Sequence, residues 1–232
     1  QGESSKVPKG ANLHQPDSFS CQGAVASRSS EMKTVVVGPE GKLYLTDGHH
    51  TFTTLWEQPE GGAKLQMWVK VTDNFSDSAD LASFWQRMQT ARKVWLKDGQ
   101  GQMINPEQIP AQLGLANLGD DPYRALVYFT REVAYDKPRS GDVAPEFLEF
   151  YWGNWLRGQL NLSEYDLRDK GDYRDAIAAA AKLMVALKAD STVGDSGFKA
   201  AELGGYSSVD RKEMGKMASK KLPYMVAYKA TR

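Results

Sequence analysis

The chain has 232 residues, 41% of them apolar and 25% charged, enough for a sizeable buried core in one large domain or two small ones. Lysine plus arginine equals aspartate plus glutamate, so the formal net charge is zero. That balance argues against a strong non-specific nucleic-acid binder, while leaving room for a local basic patch. The single cysteine, Cys21, excludes an internal disulfide, and no neighbouring residue marks it as reactive. No apolar run approaches the roughly 20 residues of a membrane span. The chain opens on Gln1 rather than Met, as a processed product would, so a soluble protein exported with removal of its signal peptide is compatible with it.

Residues 1–33 are rich in Ser, Gly, Lys and Gln without clear periodicity and read as an extended arm. His14 in that arm reads as a solvated loop histidine. Val35–Val37 and Leu43–Leu45 then read as two strands joined by a hairpin turn at Gly38-Pro39-Glu40-Gly41. After Thr46 the pattern changes to helical spacing, with Phe52, Leu55 and Trp56 on one face. Asp47-Gly48-His49-His50 sits at the change and holds two of the three histidines. A helix start offers unpaired N–H groups and a positive dipole end, and Gly48 allows close backbone approach.

Leu65–Thr72 alternates, with Leu65, Met67, Val69 and Val71 expected on one face of a third strand. Asp77-Ser78 is read as the cap of a helix reaching about Lys97, with an aromatic stripe of core residues. The loop-rich stretch from Gly99 to Leu118 marks a domain boundary. Asp121-Pro122 starts another helix, with Arg124 in its first turn, paired to Asp120 or Asp121 or serving as an anion contact. Pro145 opens a largely apolar helix through Gly158, Tyr173–Lys188 an alanine-rich one, and Ser208 to about Lys221 a last one. Between Arg211 and Arg232 seven cationic residues stand against one acid, Glu213. A solvated face accounts for such a run most simply; a phosphate or partner surface is the other reading.

Three readings compete at Asp47-Gly48-His49-His50. In the first, amides from Gly48 to Thr51 and the Thr51 hydroxyl hold a phosphate, a histidine moves a proton, and Asp47 orients it or holds a metal. In the second, a metal-dependent hydrolase uses Asp47 and one histidine, although adjacent histidines face apart on a helix. In the third, Asp47 is only a helix cap.

The stretch Gly41–Thr51, GKLYLTDGHHT, resembles the DGHH loop of the ParB/sulfiredoxin superfamily, in its ParB-like nuclease branch. The blocks Asp121-Pro122-Tyr123-Arg124 and Pro145–Trp152 extend the resemblance to residues 34–160. It implies an α+β chain: an arm at 1–33, a small mixed ParB/sulfiredoxin-like sheet domain at 34–98, and a helical domain at 99–232. It also implies a nuclease or nucleotide-dependent phosphotransferase acting on phosphate esters. His49, His50 and Asp47 would be catalytic; Gly48, Thr51, Lys33 and Arg124 would contact phosphate. Asp47 would be the ligand for Mg²⁺ or another divalent metal. A nucleotide, another phosphate-containing small molecule or nucleic acid would be the partner. Glu31, like Lys33, precedes the sheet, where a polar residue can join the site. Many relatives carry arginine after the two histidines, where this chain has Thr51, and the reactive cysteine of the sulfiredoxin branch is absent from the loop. The alternative function is a non-catalytic nucleotide- or anion-sensing or protein-interaction module.

Overall fold

The computed structural model describes residues 10–12, 14–18, 23–24, 26–138 and 144–231. Cys21 lies outside the described residues. Contacts divide the chain into two compact units, Gln1–Leu96 with Met103–Gly119, and Lys97–Gln102 with Asp120–Arg232. Among the described residues no helix is long and apolar enough to cross a membrane. The described residues form three strands and seven α-helices, an α+β chain.

In the first unit, strands β1 (Thr34–Val37), β2 (Leu43–Leu45) and β3 (Lys70–Asn74) form one sheet in the order β2-β1-β3. β1 pairs antiparallel with β2 through the expected hairpin. The turn is closed by the Gly38 N–H donating to the Lys42 carbonyl at 2.8 Å. Glu40 (φ 59°) and Gly41 (φ 72°) are both left-handed there, so the turn does not rest on glycine alone. After helix α1 (His49–Glu57) the chain returns parallel to β1 as β3. The two connections account for a mixed sheet: a short turn returns antiparallel, and a helix-bearing crossover returns parallel.

The alternation predicted for the third strand holds in part. From Leu65 to Lys70 partly buried and exposed residues alternate, but the strand itself begins at Lys70. The register shifts between Val35 and Val36, which pair with Val71 and Asp73. The extra residue, Thr72, is a bulge that breaks the period-two facing of the strand, and Val71 is 52% exposed instead of sharing the face of Leu65, Met67 and Val69.

Helix α2 (Leu81–Thr90) is shorter than expected at both ends. Its cap is Asp80, not Asp77-Ser78; the Asp80 carboxylate accepts from the Ser83 N–H at 2.7 Å. It ends where Arg92 turns left-handed (φ 56°), so Trp95 is not part of it and Leu81 is exposed. Phe84 and Met88 pack under Val36, with Tyr44 4.5 Å from Phe84 between ring centroids. Gly38 admits this packing, since a Cβ there would lie 2.4 Å from the Tyr44 ring.

The second unit is helical and holds the larger core. Helix α3 (Pro122–Thr130) starts as expected, Asp121 accepting from the Arg124 N–H at 2.9 Å and Pro122 in the first helical position. Helix α4 (Leu148–Arg157) begins three residues beyond Pro145, because Phe147 is left-handed (φ 61°). α3 and α4 approach closely at Gly153, where a Cβ would sit 3.3 Å from the Arg124 backbone nitrogen. Trp152 is fully buried and donates through Nε1 to the Leu203 carbonyl at 3.0 Å. Helix α5 (Lys170–Ala186), capped by Asp169, contributes Tyr173, Ile177 and Met184 to the same core. The C-terminal segment contains two helices rather than one: α6 (Arg211–Lys220), capped by Asp210, and α7 (Leu222–Lys229), restarted with Pro223 in its first turn.

The small core of the first unit makes one substitution decisive. Phe84→Ala removes a ring with no solvent exposure from a cluster of few residues. We expect a loss of about 3–5 kcal/mol of unfolding free energy in urea denaturation.

Candidate functional site

The loop between β2 and α1 is tied to the sheet by Thr34. Its carbonyl accepts from the Thr46 N–H at 2.9 Å and the Asp47 N–H at 3.4 Å, and its hydroxyl lies 2.7 Å from that of the buried Thr46. Helix α1 therefore starts from a fixed point at the end of β2. Gly48 occupies its N-cap at φ 104°, ψ 12°, with no side-chain cap. Asp47 is thus not the helix cap. It is exposed, and its carboxylate lies 3.4 Å from Lys33 Nζ.

Lys33 enters by its position beside β1. Its carbonyl accepts from the Lys70 N–H at 2.8 Å, which extends the β1–β3 pairing by one residue. Its aliphatic stem then crosses Gly48. A Cβ on Gly48 would lie 2.6 Å from Lys33 Cγ and 2.8 Å from Cδ. The space that glycine leaves is occupied by this lysine, not held open for a ligand as the sequence suggests. The effect is to bring an ammonium group beside the helix start.

His49, His50 and Thr51 are the first three residues of α1. Amides in a first helical turn have no carbonyl four residues back to bond, and no side chain caps this one. Both histidines are exposed and Thr51 is partly buried, while Gly48 at the bend is buried beneath Lys33. The His50 carbonyl accepts from the Thr54 hydroxyl at 2.8 Å. Although His49 as a residue is exposed, enough protein crowds its imidazole that lost hydration holds its pKa below the usual 6.5. Asp47 pulls the other way and the adjacent His50 adds a smaller downward push. A lowered pKa favours the neutral imidazole, the form that accepts a proton.

Arg124 belongs to the second unit, where its guanidinium lies 2.9 Å from Glu149 and over the Phe150 ring. The partner is Glu149 rather than the expected Asp120 or Asp121. Asp121 is bridged by Arg157 at 3.0 Å and Asp120 by Lys229 at 2.6 Å. Glu31 is exposed and faces Arg28 at 3.7 Å. His14 is also exposed, its N–H bonded to the Asn12 side chain at 2.8 Å. Among the described residues no three His, Cys, Asp or Glu side chains gather into a group that could hold a metal. Asp47 alone is a poor fit for a protein-held divalent ion, and its nearest charged neighbour is a lysine.

Gly48→Ala places a Cβ at a left-handed position and against Lys33 at once. We expect about 1–3 kcal/mol of lost stability in urea denaturation, with little recovery in Lys33→Ala/Gly48→Ala, because the backbone strain persists. In a proton NMR titration the His49 imidazole should titrate below 6.5. The unfolded chain then binds this proton more readily, so the His49 contribution weakens stability as pH falls from 6.5 through the folded pKa. Inorganic phosphate at the helix start should move the His49 midpoint upward.

A family model described as "Putative ParB-like nuclease" matches residues 11–158. The crystal structure of protein Atu1540 from Agrobacterium tumefaciens is similar in fold and sequence, with 26% identity and a TM-score of 0.54. The match covers 77% of this chain and 80% of that one. No curated protein matches. The matched residues span β1 to β3 and helices α1 to α4, including the Asp47–Thr51 loop, and the chain belongs to this ParB-like family.

Proposed function

We propose that the protein is a ParB-like nuclease whose β2–α1 loop binds and cleaves a phosphate ester. The carrying observation is the convergence of three features: an α1 start without a side-chain cap, the Lys33 stem packed across Gly48 with its ammonium beside Asp47, and His49 in the first turn, its pKa lowered by burial. Family membership supplies the reaction class, and these groups supply chemistry that suits it.

Anionic phosphoryl oxygens sit against the first-turn amides and the Lys33 ammonium, with the Thr51 hydroxyl as a further donor. His49 takes the proton of the attacking water as it bonds to phosphorus. The ester P–O bond breaks, and His50 supplies a proton to the leaving oxygen. Asp47 holds the lysine in place. Lys33 thereby stands in for the arginine that many relatives carry where this chain has Thr51.

The test uses bis(p-nitrophenyl) phosphate, single- and double-stranded DNA and ATP, each with and without Mg²⁺. His49→Ala should lower phosphodiester cleavage by about 10²–10⁴-fold, and Lys33→Ala should raise KM and lower kcat together. Transfer of the ATP γ-phosphate to an acceptor would identify a phosphotransferase instead. Phosphate-dependent thermal stabilisation that His49→Ala leaves without turnover to lose would identify an anion sensor. No stabilisation and no cleavage would reject the site.

A further inference from the structure

The excess of positive charge at the C-terminus resolves into an ordered surface on α6 and α7, beyond the residues matched by the family model. Lys212, Lys216 and Lys220 recur every fourth residue along α6, which places them on one face. All three are exposed. The residues between them on the exposed side are Gly215 and Ser219, so the ridge carries no apolar group. Lys216 is held by Glu213 at 2.5 Å, the one acid in this segment. The buried residue of α6 is Met217.

Exposed aromatic rings lie next along the chain. In α7, Leu222 is buried, while Tyr224 is 81% exposed and Tyr228, four residues on, 40%. Tyr128 of α3 is 43% exposed, and Lys221, at the break between α6 and α7, lies 5.3 Å from its ring centroid. Lys229 at the end of α7 is tied to Asp120 at 2.6 Å, which anchors that helix on the α3 cap. The C-terminal segment thus presents a row of exposed cations on α6 followed by exposed aromatic rings on α7.

We propose that this α6–α7 face is a docking surface for single-stranded nucleic acid, separate from the β2–α1 loop. Lysines about 6 Å apart along a helix suit a row of phosphates, and exposed tyrosines offer faces on which bases stack. An anionic membrane would also meet the charge. It would need large apolar groups to insert, but those of α7 other than the tyrosines, Leu222, Met225 and Val226, pack against the core. An acidic protein would use the lysines and leave the tyrosines idle.

The experiment is fluorescence anisotropy with a labelled 20-nucleotide oligothymidylate, on the full chain, over a range of salt. The triple variant Lys212→Ala/Lys216→Ala/Lys220→Ala should bind at least tenfold more weakly. Its slope of log affinity against log salt should be shallower by about 2, at about 0.7 per lost phosphate contact. Tyr224→Ala should weaken binding about tenfold, with recovery in Tyr224→Phe. All substituted side chains are exposed, and circular dichroism and thermal melting should be unchanged. The triple variant should cleave bis(p-nitrophenyl) phosphate as wild type does, so failure of the loop chemistry and failure of this surface are separable. Unchanged oligonucleotide affinity in the triple variant, or indifference to Tyr224→Ala, overturns the proposal. So does binding to phosphatidylglycerol vesicles or polyglutamate that equals oligonucleotide binding and depends on the same lysines.

Discussion

The arrangement at the β2–α1 loop depends on a single steric fit between Gly48 and Lys33. Gly48 takes a left-handed conformation to turn the chain from β2 into α1, and the volume its missing Cβ would fill is taken by the lysine stem. Lys33 is itself fixed at its backbone by Lys70, one residue before the parallel pairing of β1 with β3 begins. The start of the helix, the edge of the sheet and the position of an ammonium group are therefore one coupled geometry. A larger residue at 48 cannot perturb only the helix start, because it also displaces the charge beside it. This is why the glycine matters here for packing and backbone angle together.

The blocks in the second unit that carry the family resemblance play a different part. Tyr123 donates its hydroxyl to the Leu160 carbonyl at 2.7 Å, Arg124 pairs with Glu149, and Asp121 caps α3 while bridging to Arg157. Each links the start of α3 to α4 or to the turn after it. A half-buried ion pair contributes little net stability, but removing one partner strands the other, so such pairs hold two helices in one register. Gly153 then lets the α4 backbone come against α3. The residues that mark the family in this unit build an interface between two helices, and the chemistry-bearing groups gather in the first unit.

Local pattern made the hairpin, the α1 start and the α3 cap readable, because each depends on residues adjacent in sequence. The features that could not be read depend on contacts distant in sequence. Thr72 becomes a bulge through its register against β1, which turns Val71 outward despite a clean alternation. α2 stops at Thr90 because Arg92 takes a left-handed angle, though helical spacing continues to Trp95. Phe147 similarly delays α4, and no aromatic residue announces a positive φ. Pro223 was a signal for the restart of α7, since proline favours the first turn of a helix. Lys33 was readable as a polar residue before the sheet, but its contact with Gly48 is a product of the fold. Arg124 offered two acidic neighbours in sequence and took a third across the helix interface.

A net charge of zero describes the chain poorly, because charge acts over short distances in salt. At an ionic strength of about 0.1 M the screening length is about 10 Å. The lysine ridge from 212 to 220 spans about 12 Å of helix, so a ligand at α6 senses those lysines more than the acids elsewhere that cancel them. The same holds at the β2–α1 loop, where Lys33 and the helix start set the local field although Asp47 offsets part of it. Charge balance over the whole chain thus limits diffuse attraction to polyanions while leaving two local surfaces free to be selective. One is built from a left-handed glycine and a single lysine, the other from a repeat of four along a regular helix.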